Sequence, residues 1–105
     1  MKSTIVELAR FKLRNNRSEA DLLAASMVFQ EEFLKGRDGF LSRELVKFGG
    51  RDYGDLVHWR DRQTADKVMQ EAATSEVCSA YFAVMEPEAD PAAGVSLMET
   101  LEVYR

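Results

Sequence analysis

The sequence predicts an α+β domain of the split β-α-β-β-α-β, ferredoxin-like type: an antiparallel four-stranded sheet with its helices on one face. Three observations point to it. Four segments have strand composition: Thr4 to Leu13, Phe40 to Phe48, Tyr53 to Arg60 and Val95 to Tyr104. Stretches with helical spacing of apolar residues follow the first and third of them. Gly49-Gly50-Arg51-Asp52 joins the second and third as a hairpin. In this order the first strand lies between the third and the fourth.

Each element has its own signal. The first strand carries Ile5, Val6, Leu8, Phe11 and Leu13, apolar on both faces. Asn15-Asn16-Arg17 is a turn, and Ser18 is an N-cap with Asp21 three residues on as its capping-box partner. Leu22, Leu23, Ser26, Met27, Phe29, Phe33 and Leu34 then repeat at helical spacing until Gly36, giving a helix over about 18–35. In the second strand Phe40, Ser42, Glu44, Val46 and Phe48 share one face, with Leu41, Arg43, Leu45 and Lys47 on the other. Asp61 or Thr64 caps a second helix carrying Ala65, Val68, Met69, Ala72 and Ala73. Thr74-Ser75 breaks it, and Val77, Ala80, Tyr81, Val84 and Met85 form a further helical segment. Glu86 to Gly94, with Pro87 and Pro91, is a loop before the alternating fourth strand.

The totals set limits on function. A chain of 105 residues, 46% of them hydrophobic, suits a single domain over 1–105 with one core. The net charge of −4 argues against nucleic acid as a partner; Arg10, Lys12, Arg14 and Arg17 read as a solvated strand end. Cys78 stands alone, so no intrachain disulfide forms, and it reads as an inert core residue. Met1 to Glu7 has no signal-peptide core, and no apolar run approaches the ~20 residues of a membrane helix. The expectation is a cytoplasmic, soluble protein with no membrane partner. With one His and one Cys, no metal cluster is expected, and no glycine-rich phosphate loop occurs.

Helices can cover only one side of such a sheet, yet strands one, three and four carry apolar residues on both. A second copy would cover the other side, two sheets closing into a barrel with an interior cavity. A monomer with that face in water is the alternative, at the cost of a large exposed apolar patch.

Val6-Glu-Leu-Ala-Arg-Phe-Lys-Leu13, Gly39-Phe40-Leu41, Leu56-Val-His-Trp-Arg60 and the segment from Ser75 to Met85 resemble the dimeric α+β barrel superfamily, most of all the antibiotic biosynthesis monooxygenase-like (ABM-like) domains. The resemblance spans nearly the whole chain. It implies a homodimer and a small apolar or aromatic ligand. The superfamily includes cofactor-free oxygenases, haem degraders, haem-dependent peroxidases and isomerases, so the fold does not fix the activity. Its haem degraders place a haem-ligating His where this chain has Phe82, flanked by Tyr81, and no other His replaces it. No cofactor is therefore expected.

The only His and the only Trp, His58 and Trp59, are neighbours on one strand and must face opposite ways. Trp59, just before the second helix, is expected to pack beneath the helices, which turns His58, with Leu56 and Arg60, into the cavity. With strands one and three treated as parallel neighbours, either Glu7 or Arg10 faces inward; Glu7 is favoured, since Arg10 can snorkel from the strand end. A Glu7–His58 pair in a dry cavity would be an acid/base unit, with a satisfied structural hydrogen bond as the alternative. Arg60, Tyr53, Tyr81 and Phe82 are candidate ligand contacts, with rim or packing roles as the alternative. Glu99 is a further interior carboxylate candidate.

Two functions follow. One is a cofactor-independent oxygenase or isomerase acting on an aromatic or polyketide-like substrate, whose carbanion reacts with oxygen itself; the protein supplies a base and a dry pocket. The other is a non-catalytic, ligand-binding or stress-related dimeric barrel.

Overall fold

The structure is a computed structural model that describes residues 4–90 and 93–105. Strand β1 (Ile5–Lys12) leads to helix α1 (Glu19–Phe29), which Gln30–Leu34 continues as a wider π-helical turn. Strands β2 (Phe40–Gly49) and β3 (Asp52–Trp59) form the hairpin. Helices α2 (Arg62–Ala72) and α3 (Glu76–Phe82) and strand β4 (Val95–Glu99) complete the chain. The sheet order is β2-β3-β1-β4, with β1 between β3 and β4 as the element order implies. Every neighbouring pair is antiparallel, including β1 with β3, so the parallel pairing of strands one and three is corrected.

The caps form as the residue types require. Ser18 accepts from the Asp21 amide while the Asp21 carboxylate accepts from the Ser18 amide, a closed capping box. Asp61, not Thr64, caps α2, and Ser75 caps α3 through the Cys78 amide. Leu23 and Met27 lie on the solvent side of α1 rather than in the core, at 56% and 64% exposure.

Two departures from strict alternation matter. The register jumps between Phe40 and Ser42, so Leu41 is an extra residue and Phe40 shares a face with Trp59, not with Ser42. The rings of Phe40 and Trp59 meet edge to face at 5.8 Å. The fourth strand ends at Glu99, short of Tyr104, because Glu99 already lies opposite Ile5, where β1 begins. The Thr100 amide still donates to the Thr4 carbonyl at 2.9 Å; 101–105 are exposed and carry no strand assignment.

The helices lie over one face of the sheet, and the core forms between the layers from Ile5, Val57 and Trp59 below and Leu22, Phe29, Ala65, Val68, Cys78 and Tyr81 above. The cover is uneven. On β3, Tyr53, Asp55, Val57 and Trp59 are all buried; on β1, Ile5 and Glu7 are buried and Ala9 and Phe11 half-buried; on β4, Val95 and Leu97 are half-buried and Glu99 is exposed. The other sheet face is uncovered and carries Val6, Leu8, Val46, Leu56 and His58, all half-buried, with Phe48 and Met98 exposed. Gly54 opens a seat for Phe48 there: a Cβ at Gly54 would lie 3.0 Å from the Phe48 ring.

Candidate functional site

Trp59 packs beneath the helices as expected, at 2% exposure, and His58 faces the other way, opposite Val6 on β1 and Ser42 on β2. Glu7 does not join it. In the antiparallel register Glu7 lies opposite Val57, on the Trp59 face, so the Glu7–His58 pair is corrected. Arg10, opposite Gly54, and Lys12, opposite Asp52, are the charged β1 residues on the His58 face, and the Arg10 guanidinium lies 4.1 Å from the Phe48 ring centroid. Reversing the strand pairing changes which β1 residues share a face with His58.

Glu7 instead accepts a hydrogen bond from the Trp59 indole N–H at 2.9 Å, and it is 9% exposed. Burial pushes its carboxyl above the ordinary range; the Trp59 hydrogen bond partly offsets this, and the nearby Asp55 adds to it. A carboxyl held so by a neutral donor in a desolvated site has the environment of a general base or acid.

Beside it lies a buried ionic network with no role foreseen from the sequence. Arg43 and Asp55 face each other at 3.2 Å with side chains 6% and 8% exposed. The Tyr81 hydroxyl donates to the other Asp55 oxygen at 2.7 Å. Arg43 also donates to the Ser26 carbonyl at 3.1 Å and to the Ser26 hydroxyl, and its guanidinium lies 5.0 Å from the Phe29 ring centroid and 5.6 Å from that of Tyr81. The Arg43–Asp55 contact is an ion pair without hydrogen-bond geometry: Nη1 and Oδ1 make no hydrogen bond. Burial raises the Asp55 carboxyl above its ordinary value, against the pull of Arg43 and Tyr81. The Tyr81 hydroxyl is raised strongly, first by burial and then by the Asp55 charge.

A buried ion pair seldom stabilises a fold more than apolar residues of the same size. Its presence beside stacked aromatics, Phe29 and Tyr81 at 4.6 Å and 13°, marks this layer as a site candidate. The signal in the sequence was partial: Asp55 is a charged residue at the parity of Tyr53, Val57 and Trp59, whereas Arg43 shares its parity with Lys47 and does not stand out.

The remaining candidates scatter. Tyr53 is buried, and its hydroxyl donates to Glu19 at 2.7 Å, tying α1 to the sheet. Tyr81 belongs to the network. Phe82 is 45% exposed on α3, its ring 6.1 Å from that of Tyr81. Glu99 lies opposite Ile5, on the helix-covered face rather than the His58 face, and is exposed because β4 lies at the thin edge of that cover. Arg60 leaves the strand end to pair with Asp38 at 2.8 Å and Asp61 at 3.3 Å, lining an open polar cleft of about 350 Å³ with Arg37, Thr64 and Lys67. Cys78 is buried and free. Among the described residues, no cluster of His, Cys, Asp and Glu has the makings of a metal site, and no helix is long and apolar enough to cross a membrane.

No family model and no curated protein matches the chain. Solved structures do. SnoaB, a cofactor-independent oxygenase from Streptomyces nogalater, matches with a TM-score of 0.71 at 14% identity, over 96% of this chain and 96% of that one. A candidate antibiotic biosynthesis monooxygenase from Bordetella bronchiseptica matches with a TM-score of 0.69 at 19% identity, over 97% and 99% of the two chains. A conserved protein from Methanosarcina mazei Go1 matches at 0.70 and 13% identity, over 92% of each chain. The chain therefore has the α+β, ferredoxin-like fold of the ABM-like proteins, as its strand and turn motifs imply.

Proposed function

We propose that the chain forms a homodimeric, small-molecule-binding barrel and acts as a cofactor-independent oxygenase on an aromatic or polyketide-like substrate, with Glu7 as its base. The observation that carries this is the Glu7 carboxyl: buried, raised in proton affinity, and hydrogen-bonded to the Trp59 indole. Such a group can take a proton from an acidic C–H or O–H of a bound aromatic. The resulting carbanion or enolate then reacts with oxygen directly, and the surrounding layer keeps water away. On this reading the substrate reaches Glu7 from the β4 side, where Val95 and Leu97 are only half-buried and Glu99 is exposed. The likeness in fold to SnoaB supports the reaction class.

The dimer reading rests on the uncovered face. Val6, Leu8, Val46, Leu56, Phe48 and Met98 form an apolar surface that a second copy would bury. On this reading His58 faces the dimer interior and is the competing base, on the opposite side of the sheet from Glu7.

Oxygen uptake by the full chain with an enolisable aromatic ketone, in the presence of a chelator, tests the activity. Glu7→Gln is expected to lower turnover by about 10²–10⁴-fold, the usual value of a positioned base. His58→Ala is expected to keep it. The reverse pattern would move the chemistry to the dimer interior. Uptake equal to the uncatalysed rate would favour a non-catalytic ligand binder, a reading supported by how fully Phe29, Tyr81 and Arg43 fill the helix-side layer.

A further inference from the structure

Glu7 and Asp55 are the two buried carboxyl residues of the core face, and they sit on adjacent strands. Ala9 lies opposite Asp55 and Glu7 opposite Val57, so the two carboxyls are diagonal neighbours two residues apart along β1. Their surroundings are unequal. Asp55 has a cation at 3.2 Å and a hydroxyl donor at 2.7 Å. Glu7 has a single neutral donor, the Trp59 indole, at 2.9 Å.

Two like charges close together in a dry layer resist ionising together, and the one with the cation and the stronger hydrogen-bond partners ionises first. We propose that Asp55 is a positioning residue for Glu7: fixed as an anion by Arg43 and Tyr81, it directs the proton the pair retains onto Glu7 and makes the Glu7–Trp59 contact the proton-exchanging end of the network. Among the described residues, the ionisable groups that act on the pair are Arg43 and Tyr81. From β2 it is faced by Arg43 and from α3 by Tyr81, while Ser26 on α1, which does not titrate, accepts from Arg43. The buried residues of α2 are Thr64, Ala65 and Val68, all uncharged. Glu99 on β4 is exposed, and His58 is on the far side of the sheet.

The inference rests on Glu7 as the base but concerns where a proton resides, so it has a readout apart from turnover. Trp59 is the only tryptophan, and its indole donates directly to Glu7. Its emission is therefore expected to titrate with the Glu7 carboxyl in the full chain. Glu7→Gln should abolish that transition, and His58→Gln should leave it in place. Asp55→Asn keeps an oxygen acceptor for Tyr81 but removes the like charge, and the midpoint should move to lower pH. Tyr81→Phe, which weakens the hold on the Asp55 anion, should move it the same way and serves if Asp55→Asn does not fold. A midpoint unmoved or raised in a folded Asp55→Asn or Tyr81→Phe protein overturns the proposal, as does a transition that survives Glu7→Gln. If the midpoints shift as expected while Glu7→Gln retains full turnover, the proton placement stands and the oxygenase base is wrong.

Discussion

Replacing Arg43 with Met removes the cation from the buried network while keeping most of the side-chain bulk against Phe29 and Tyr81. The structure sets the size of the effect. Both partners are nearly inaccessible, at 6% and 8% exposure, so water cannot take over for the missing guanidinium. Asp55 would keep the Tyr81 hydroxyl as its sole partner, and the Ser26 carbonyl would lose a donor. Breaking a buried pair from one side costs about 3–5 kcal/mol, a large part of the roughly 5–15 kcal/mol that holds a typical domain together. The loss should depend on pH. Asp55 already holds its proton more tightly folded than unfolded, and without Arg43 it would do so still more. The folded state then binds more protons than the unfolded state between the ordinary carboxyl value and the raised one, so stability falls as pH rises through that window. Urea unfolding followed by circular dichroism at pH 4.5 and pH 7.5 should show the larger deficit at the higher pH. Adding Asp55→Asn should restore most of the loss, leaving about 1 kcal/mol, because no buried charge remains unpaired. Additive single effects, with a coupling under about 0.5 kcal/mol, would refute the buried-pair account.

Further tests address other parts of the molecule. Glu7→Gln should stabilise the protein increasingly as pH rises, since the wild-type carboxyl loses a stabilising proton on passing through its raised value; parallel melting curves at pH 5 and pH 8 would check this. Gly94→Ala should weaken the β1–β4 pairing: the new Cβ would stand 2.4 Å from the Arg10 carbonyl, next to the Arg10 N–H bond to the Gly94 carbonyl. A cost of about 1–3 kcal/mol is expected, read as a drop in Tm. Gly39→Ala faces both a φ of +85° and a contact of 2.5 Å with the Thr64 side chain, and should cost about 1–3 kcal/mol in chemical denaturation. The proposed dimer is expected to show as a mass of two chains by light scattering, and Leu8→Asp on the uncovered face should reduce it to one with little change in helix content.

The element order, the caps at Ser18, Asp61 and Ser75, and the hairpin were legible because each depends on neighbours along the chain. Trp59 beneath the helices was legible from its place before α2. The partner of Glu7 was not, because it depends on strand pairing: apolar residues occur at both parities of β1, so composition alone could not choose a face. The extra residue Leu41 had no sequence marker, and it moved Phe40 to the opposite face from Ser42. Arg43 and Asp55 read as ordinary strand charges in isolation; only the packing of β2 and β3 under α1 and α3 makes them one buried pair.

The gradation of helix cover from β3 to β4 also bears on how the molecule breathes. β3 is bonded on both sides and roofed along its whole core face, so its amides should exchange with solvent only when the protein unfolds as a whole. β4 is a five-residue edge strand under a thin roof, and it should detach at a much smaller free-energy cost. Because Glu7 lies beside Leu97, such a local opening would bare its carboxyl while Arg43, Asp55 and Tyr81 stayed clamped. The loosest strand of the sheet would then act as the door to a buried acid, and the hinge would need no dedicated lid.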